Sequence, residues 1–547
     1  MFQTTLSFLY SSFLKFQINC IHLQKFIFSM KKILTLLFIA LLLSFSSCRN
    51  DFQFEPSKGG LTFSKDTVYL DTVFTNIGSS TYRLKVYNKS DSDISIPKIQ
   101  LGKGASSKYR MMIDGLTGQD ADNSGFGEGK IFNDVELLAK DSMFIFVEVT
   151  ADVASANPTD FLYTDQIEFH NISGAPQTVE LVTLIQDAVF IYPNRPIDTG
   201  IKETLTINGM NSEIEGHELT TTDELHWTNE KPYVVYGYGF VPDSKTLTID
   251  AGAKVHFHAN SGLIVDKNAK LLINGTLDNE VVFEGDRLEP DFSDVPGQWG
   301  TILITSNLDN QINHLTLKNA TVGLLLQRSE ETIFPKLTIS NSQIYDCSNI
   351  GLLARTATVT GHNLVINNAG QATLACTYGG TYNFSHCTFN NNWSSSNQVA
   401  VLISNNFETT DAIFVQDLVE ANFNNCIIYG GNQIEMLLNN KQTETVTTLF
   451  NYKFNHCLIR FNNISNQFTE NPLYQFDTDV THYSNCSIAT NSITFKPKFE
   501  DQKTNKLWLT EGLNLPFDAL ATAAFPKDIL NIDRTSLTDL GAYQFVP

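Results

Sequence analysis

From Leu61 onward, apolar and polar residues alternate in short runs, the period of half-buried strands. "LTFSKDTVYLDTVFTNIGSSTYRLKVYNKSDSDISIPKIQL" opens the series, and "VELLAKDSMFIFVEVTAD", "DQIEFHN" and "TVELVTLIQDAVF" continue it to Phe190. Strands broken by turn clusters at regular intervals within about 130 residues predict a β-sandwich over 61–190. "IYPNRPIDTG", from Ile191 to Gly200, interrupts the pattern with prolines and marks a junction.

From about Tyr233 the runs shorten and the corners between them fill with Asn and Gly, as in "KTLTIDAGAKVHF", "SGLIVDKNAKLLINGTL", "EVVFEG", "GTILIT" and "INHLTLKNATVGLLLQ". The units recur on the order of every 20–30 residues, the period of solenoids. No helix of amphipathic length interrupts them. A parallel β-helix, in which each coil buries its face on its neighbours, is the simplest architecture. One element occurs four times, as "NFSHCTF", "NFNNCII", "KFNHCLI" and "HYSNCSI". Alternation sends Phe384, Cys387 and Phe389 inward, and likewise Phe423, Cys426 and Ile428. The residues before each cysteine form a corner, where Asn and His tolerate a left-handed backbone. Cys387, Cys426, Cys457 and Cys486 are therefore expected as an interior stack of small apolar groups rather than as disulfides. A zinc site of His386, Cys387, His456 and Cys457 is the alternative, and it requires corner and inward side chains to converge.

These coils resemble right-handed parallel β-helix proteins of the pectate-lyase-like superfamily. "NIDRTSLTDLGAYQF" resembles the closing element of many bacterial secreted β-helix proteins, and "TLTIDAGAKVHFHANSGLIV…NGTLDNEVVFEGDRLEPDFSDVPGQWGTI" resembles the first coils of β-helix lipoproteins of Bacteroidetes-type bacteria. The order of runs in 61–190 resembles hydin-type immunoglobulin-like modules. The fold expected is all-β: an immunoglobulin-like sandwich at 61–190, a linker and cap at 191–232, a right-handed parallel β-helix at 233–495 and a closing segment at 496–547.

Ahead of these lies an address. "MKKILTLLFIALLLSFSSC", Met30–Cys48, has a basic start, an apolar run too short to span a membrane comfortably, and small residues before a cysteine. Its ending resembles a bacterial lipoprotein signal, which implies a signal peptide at 30–47, a lipidated Cys48 and a tether at 48–60. Residues 1–29 then read as a misassigned extension before the initiator Met30. The implied location is the cell envelope, as an outer-membrane lipoprotein facing either side. The net charge of −21 across 547 residues argues against nucleic acid as a partner, because phosphate binding needs clustered Lys and Arg, and against easy binding of polyanionic glycans without a bridging cation. The partners expected are the membrane, through the anchor, and a polysaccharide or surface protein.

Enzymes of the resembled superfamily mostly cut polysaccharides, but the motifs do not follow. Polygalacturonase-like hydrolases carry Asp-Asp and Gly-His-Gly elements; this chain has no Asp-Asp pair, and Gly216-His217 and Gly361-His362 are followed by Glu and Asn. Paired carboxylates for glycoside hydrolysis are therefore unassigned. A lyase needs a basic residue, and Lys318, Arg328, Lys336 and Arg355 stand nearly alone in the solenoid's centre. Binding asks for less. Tyr378, Tyr382 and Trp393, amid Asn and Ser, are the candidate sugar-contacting aromatics, with loop closure or capping of the core as the other and favoured reading. Asp286, Glu289, Asp291 and Asp294 in "GDRLEPDFSDVPGQWG" are candidate Ca2+ ligands, with a structural corner closed by Trp299 as the rival reading. His256 and His258 face outward from one strand, as solvated residues or as a metal pair. Thr67, Thr72 and Ser142 resemble O-glycosylation sites of Bacteroidetes-type bacteria. No cofactor is required, and Ca2+ is the one cation considered. The function expected is carbohydrate or partner binding, with a polysaccharide lyase and a purely adhesive protein as alternatives.

Overall fold

The computed structural model describes residues 53–546 apart from 122, 158–160, 199, 208, 514, 518–524 and 535–538. Cys20, the signal segment, Cys48 and the start of the tether lie outside the described residues. The chain divides into two units. The first comprises the described residues up to Asp66 with Arg83–Val147 and Gln166–Val179; the second comprises Thr67–Tyr82, Glu148–Asp165 and Glu180–Pro547.

In the first unit, Ile94–Leu101 pairs with Ile131–Leu137 and with residues 167–170 in antiparallel fashion, and with Glu55–Pro56 in parallel. Thr62–Phe63 pairs with the strand ending at Tyr87. Burial alternates as the sequence predicts: Leu84, Val86, Ile96, Ile99, Ile145 and Val147 are all fully buried.

From Val189 onward the second unit is a parallel β-helix with three faces. Strands of the first face run from Val189–Ile191 and Tyr233–Val235 to Ser487–Ala489. The second face runs from 216–218 and Tyr238–Val241 to Met436–Asn439, and the third from His226–Trp227 and Thr246–Asp250 to Tyr483–Ser484. The right hand follows from the twist of strands linked by parallel crossovers. The solenoid begins earlier than expected. Val189–Ile191 already pairs with Tyr233–Val235, and His226–Trp227 with Thr248–Ile249, so much of the expected linker and cap at 191–232 is a first coil.

In-register stacking makes the core. On the first face Val255, Phe283, Leu317, Ile344, Ile366, Phe389, Ile428 and Ile459 stand one above another. On the third, Ile249, Ile273, Ile312 and Ile339 give way to Phe384, Phe423, Phe454 and Tyr483, whose ring centroids follow at 5.3, 4.9 and 5.6 Å. Gly361 occupies the rung between the two series; a Cβ there would stand 2.7 Å from the Phe384 ring. Each fully buried Phe contributes roughly 2–3 kcal/mol from removed apolar surface alone.

Corners hold the register. His314, Asn341, Asn363, His386, Asn425, His456 and Asn485 all have φ between 48° and 53°. Their side chains link coil to coil. Asn363 donates to Asn341 at 2.8 Å, Asn425 to Nε2 of His386 at 2.9 Å, and Asn485 to Nε2 of His456 at 3.1 Å. The four cysteines that follow such corners stack inside: Cys387, Cys426 and Cys457 are fully buried, Cys486 partly, and all are free thiols. The C-terminal segment lies along the outside of this ladder. Arg534 donates to Asn363 at 2.8 Å and to the carbonyl of Gly541, and the Gly541 N–H donates to the carbonyl of Asn425.

One buried group works against the fold as pH rises. Glu435 is fully buried; Oε1 accepts from the Asn432 N–H, and Oε2 has no hydrogen-bond partner among the described residues. Burial, outweighing the nearby backbone N–H groups of Asn432 and Ala400 and the Arg460 charge, lifts its pKa to about 8 from 4.5. The folded state therefore holds a proton that the unfolded chain releases between those values, so stability falls as pH rises across that window. Thermal unfolding should show a declining Tm between about pH 5 and 8 that is clearly flattened in Glu435→Gln. Parallel slopes for the two proteins would contradict the assignment.

Candidate functional site

The second face turns apolar residues both ways. Leu324, Leu352, Leu374, Val401 and Met436 point inward, while the next residue along each of these strands, Leu325, Leu353, Ala375, Leu402 and Leu437, points outward in its own in-register row. Beside that row Gln327, Arg355 and Thr377 are aligned. The corners after them carry Arg328, Thr356 and Tyr378, the last two with left-handed backbone. The hairpin of Asn406–Glu408 and Ile413–Val415 rises alongside and presents Phe407, 45% exposed.

Together these residues border a cleft of about 540 Å3. The Arg328 guanidinium lies 5.7 Å from the centre of the Tyr378 ring, and that of Arg355 lies 5.9 Å from the centre of Phe407. The two rings are 6.3 Å apart and tilted by 56°. Arg355 donates to the Gln327 amide oxygen at 3.3 Å, and Arg328 to the Glu331 carbonyl at 3.1 Å. Glu408 is the cleft's one carboxylate, and Lys441 faces it at 3.5 Å. Such a surface offers aromatic faces, guanidinium donors and amides, with an excess of positive charge in an acidic protein. It does not offer the carboxylate pair that acid–base cleavage of a glycoside needs.

The expected aromatic trio is divided. Tyr378 lines the cleft. Tyr382 is fully buried in the core, where its hydroxyl donates to the carbonyls of Gly379 at 2.7 Å and Ala354 at 3.2 Å, so it pins a corner and meets no ligand. Trp393 is half-buried outside the cleft, before the other end of strand Val399–Ser404. Sequence reasoning missed Phe407 and the convergence of Arg328 and Arg355 on one cleft. Aligning the coils brings Gln327 and Arg355 to one rung, and that alignment was the available signal.

The acidic loop does not gather its carboxylates. Asp286 bonds His258 at 2.7 Å, Glu289 accepts from Arg287 at 3.3 Å and from Ser80, and Asp291 and Asp294 are exposed. Among the described residues no three His, Cys, Asp or Glu side chains are placed to hold a metal ion, in this loop or at the corner histidines and cysteines. His386 and His456 spend Nε2 on asparagines while their neighbouring cysteines point inward, which removes the zinc alternative. The loop is an architectural corner. Gln298 bonds the carbonyls of Phe292 and Val295, Asn319 those of Ser293 and Val295, and Trp299 is buried on Phe257 with ring centres 4.4 Å apart.

His256 faces outward from its strand but is buried, 3% exposed, against the expectation of a solvated residue, and burial lowers its pKa. His258 is exposed, and its bond to Asp286 raises its pKa. Thr67, Thr72 and Ser142 are half-buried.

Residues 219–325 match the family described as a pectate-lyase like beta helix domain, in agreement with the stacked coils. A search of the curated proteins found no match. Among solved structures, the chain is similar to the ASH/PapD-like domain of human CEP192 (PapD-like domain 7), at 13% identity and a TM-score of 0.15 over 26% of this chain and 95% of that one. It is also similar to a family 123 glycoside hydrolase from Clostridium perfringens described for glycolipid glycan hydrolysis, at 8% identity and a TM-score of 0.16 over 26% of this chain and 29% of that one.

Proposed function

We propose that the chain is a lipid-anchored protein of the bacterial cell envelope that binds an acidic polysaccharide in the lateral cleft of its β-helix. The observation that carries this reading is the union of two aromatic rings and two guanidinium groups in one cleft, where each guanidinium lies within 6 Å of a ring centre. Aromatic faces take the apolar side of a sugar ring, and guanidinium groups pair with carboxylates in a forked geometry. The β-helix family match at 219–325 agrees with a carbohydrate-related surface protein. In this reading the first unit is an immunoglobulin-like spacer, and acylation of Cys48 supplies the anchor.

A panel of acidic and neutral polysaccharides tests the cleft. Binding of at least one acidic chain is expected, with about tenfold or greater loss in Tyr378→Ala and in Arg355→Ala, a loss of about 1.4 kcal/mol or more. Affinity unchanged in both variants would refute the cleft. Release of unsaturated sugar ends would instead make it a lyase.

The anchor has a separate test. Cys48→Ser should move the protein from the membrane fraction to the soluble fraction, and unchanged retention would refute lipidation at that residue.

A further inference from the structure

The second unit contains a larger recess, of about 1130 Å3, at its first coils; every residue that lines it belongs to that unit. Among polar and charged residues, four aromatic side chains line it: Phe190, Tyr192, Tyr236 and Tyr238. Two of them are held by specific devices. Tyr238 lies against the second face because Gly262 and Gly300 leave room for it. A Cβ at Gly262 would stand 2.8 Å from the Tyr238 ring, and one at Gly300 would collide with its hydroxyl. Tyr236 stacks on the His258 imidazole with ring centres 4.4 Å apart, and Asp286 fixes that imidazole at 2.7 Å. Both rings are thus preset, so a ligand would bear little of the entropy of ordering them.

Neither the Tyr236 nor the Tyr238 hydroxyl has a hydrogen-bond partner among the described residues, although both side chains are only partly exposed. The charges in the recess balance. Lys202 pairs with Glu215 at 2.7 Å, and the lining also holds one further cation, Arg195, whose Nε donates to the Gly200 carbonyl, and one further carboxylate, Glu213. No excess charge selects an ion here, in contrast to the arginine-lined lateral cleft. A recess with preset aromatic faces, unpartnered hydroxyls and no net charge fits a molecule with flat C–H faces and many hydroxyls. We infer that this recess is a second carbohydrate site, for a neutral oligosaccharide. The inference stands whether or not the lateral cleft binds an acidic chain.

Calorimetric titration of the full chain in detergent with maltohexaose, cellohexaose and xylohexaose provides the test. At least one should bind with a Kd of about 10 mM or lower. Tyr236→Ala should weaken that binding about tenfold, and Tyr238→Phe, which removes only the hydroxyl, several-fold with an unchanged Tm. Tyr378→Ala, in the lateral cleft, should leave it unaltered. Failure of all three sugars to bind at that concentration, or equal binding by both recess variants and the native chain, would overturn the inference. Loss of neutral-sugar binding in Tyr378→Ala would also overturn it by assigning that binding to the cleft.

Discussion

Everything in the second unit depends on the chain turning a tight corner at the same place in coil after coil. An L-residue pays about 1–2 kcal/mol to enter the left-handed region, and Asn is among the few that visit it routinely. Seven corners in one column meet that demand with Asn or His, and side-chain bonds such as Asn425 to His386 tie adjacent corners together. Once the corners coincide, the strands that follow are in register and each apolar residue lands on its counterpart. Coil length is then free to vary. Corner partners are 22 residues apart at Asn341 and Asn363 but 39 apart at His386 and Asn425, because the extra residues leave the barrel as loops.

The same register builds the surface. A row of outward residues is as strictly aligned as an inward one, so Gln327, Arg355 and Thr377 form a rail beside the apolar row of the second face. Loops that depart from the coils then wall these rows: the hairpin bearing Phe407 borders the lateral cleft. Gly262 and Gly300 show the converse use of alignment, since paired absences of side chains give Tyr238 its bed. Rigid coils and variable loops divide the work between scaffold and recognition.

Most of the β-helix was legible because its two signals are local. Period-two alternation names the inward side chains, and Asn or His before the inward cysteine marks the corner. Tyr382 shares parity with inward Phe384, which signals the core; its closeness in sequence to Tyr378 and Trp393 among Asn and Ser is what groups it with the candidate aromatics. His256 failed differently. Parity gives the face of a strand but not what covers that face. The first coil reads as linker and cap in the sequence because the prolines of Ile191–Gly200 mark a junction and the strand Met210–Glu218 carries no apolar run. The cleft was partly visible, as sparse arginines and one tyrosine, but Phe407 reaches it through a hairpin whose position no coil period specifies.

Amide hydrogen exchange across the corner column tests most directly whether the left-handed corners hold the coils in register. In Asn425→Ala, protection should fall in strands 384–391, 423–430 and 454–460 while distant coils such as 246–274 keep theirs; Asn425→Gly, which adopts the same backbone freely, should retain most of it. Unchanged protection in Asn425→Ala, or equal loss in the Ala and Gly variants, would contradict a register set by backbone conformation at the corner.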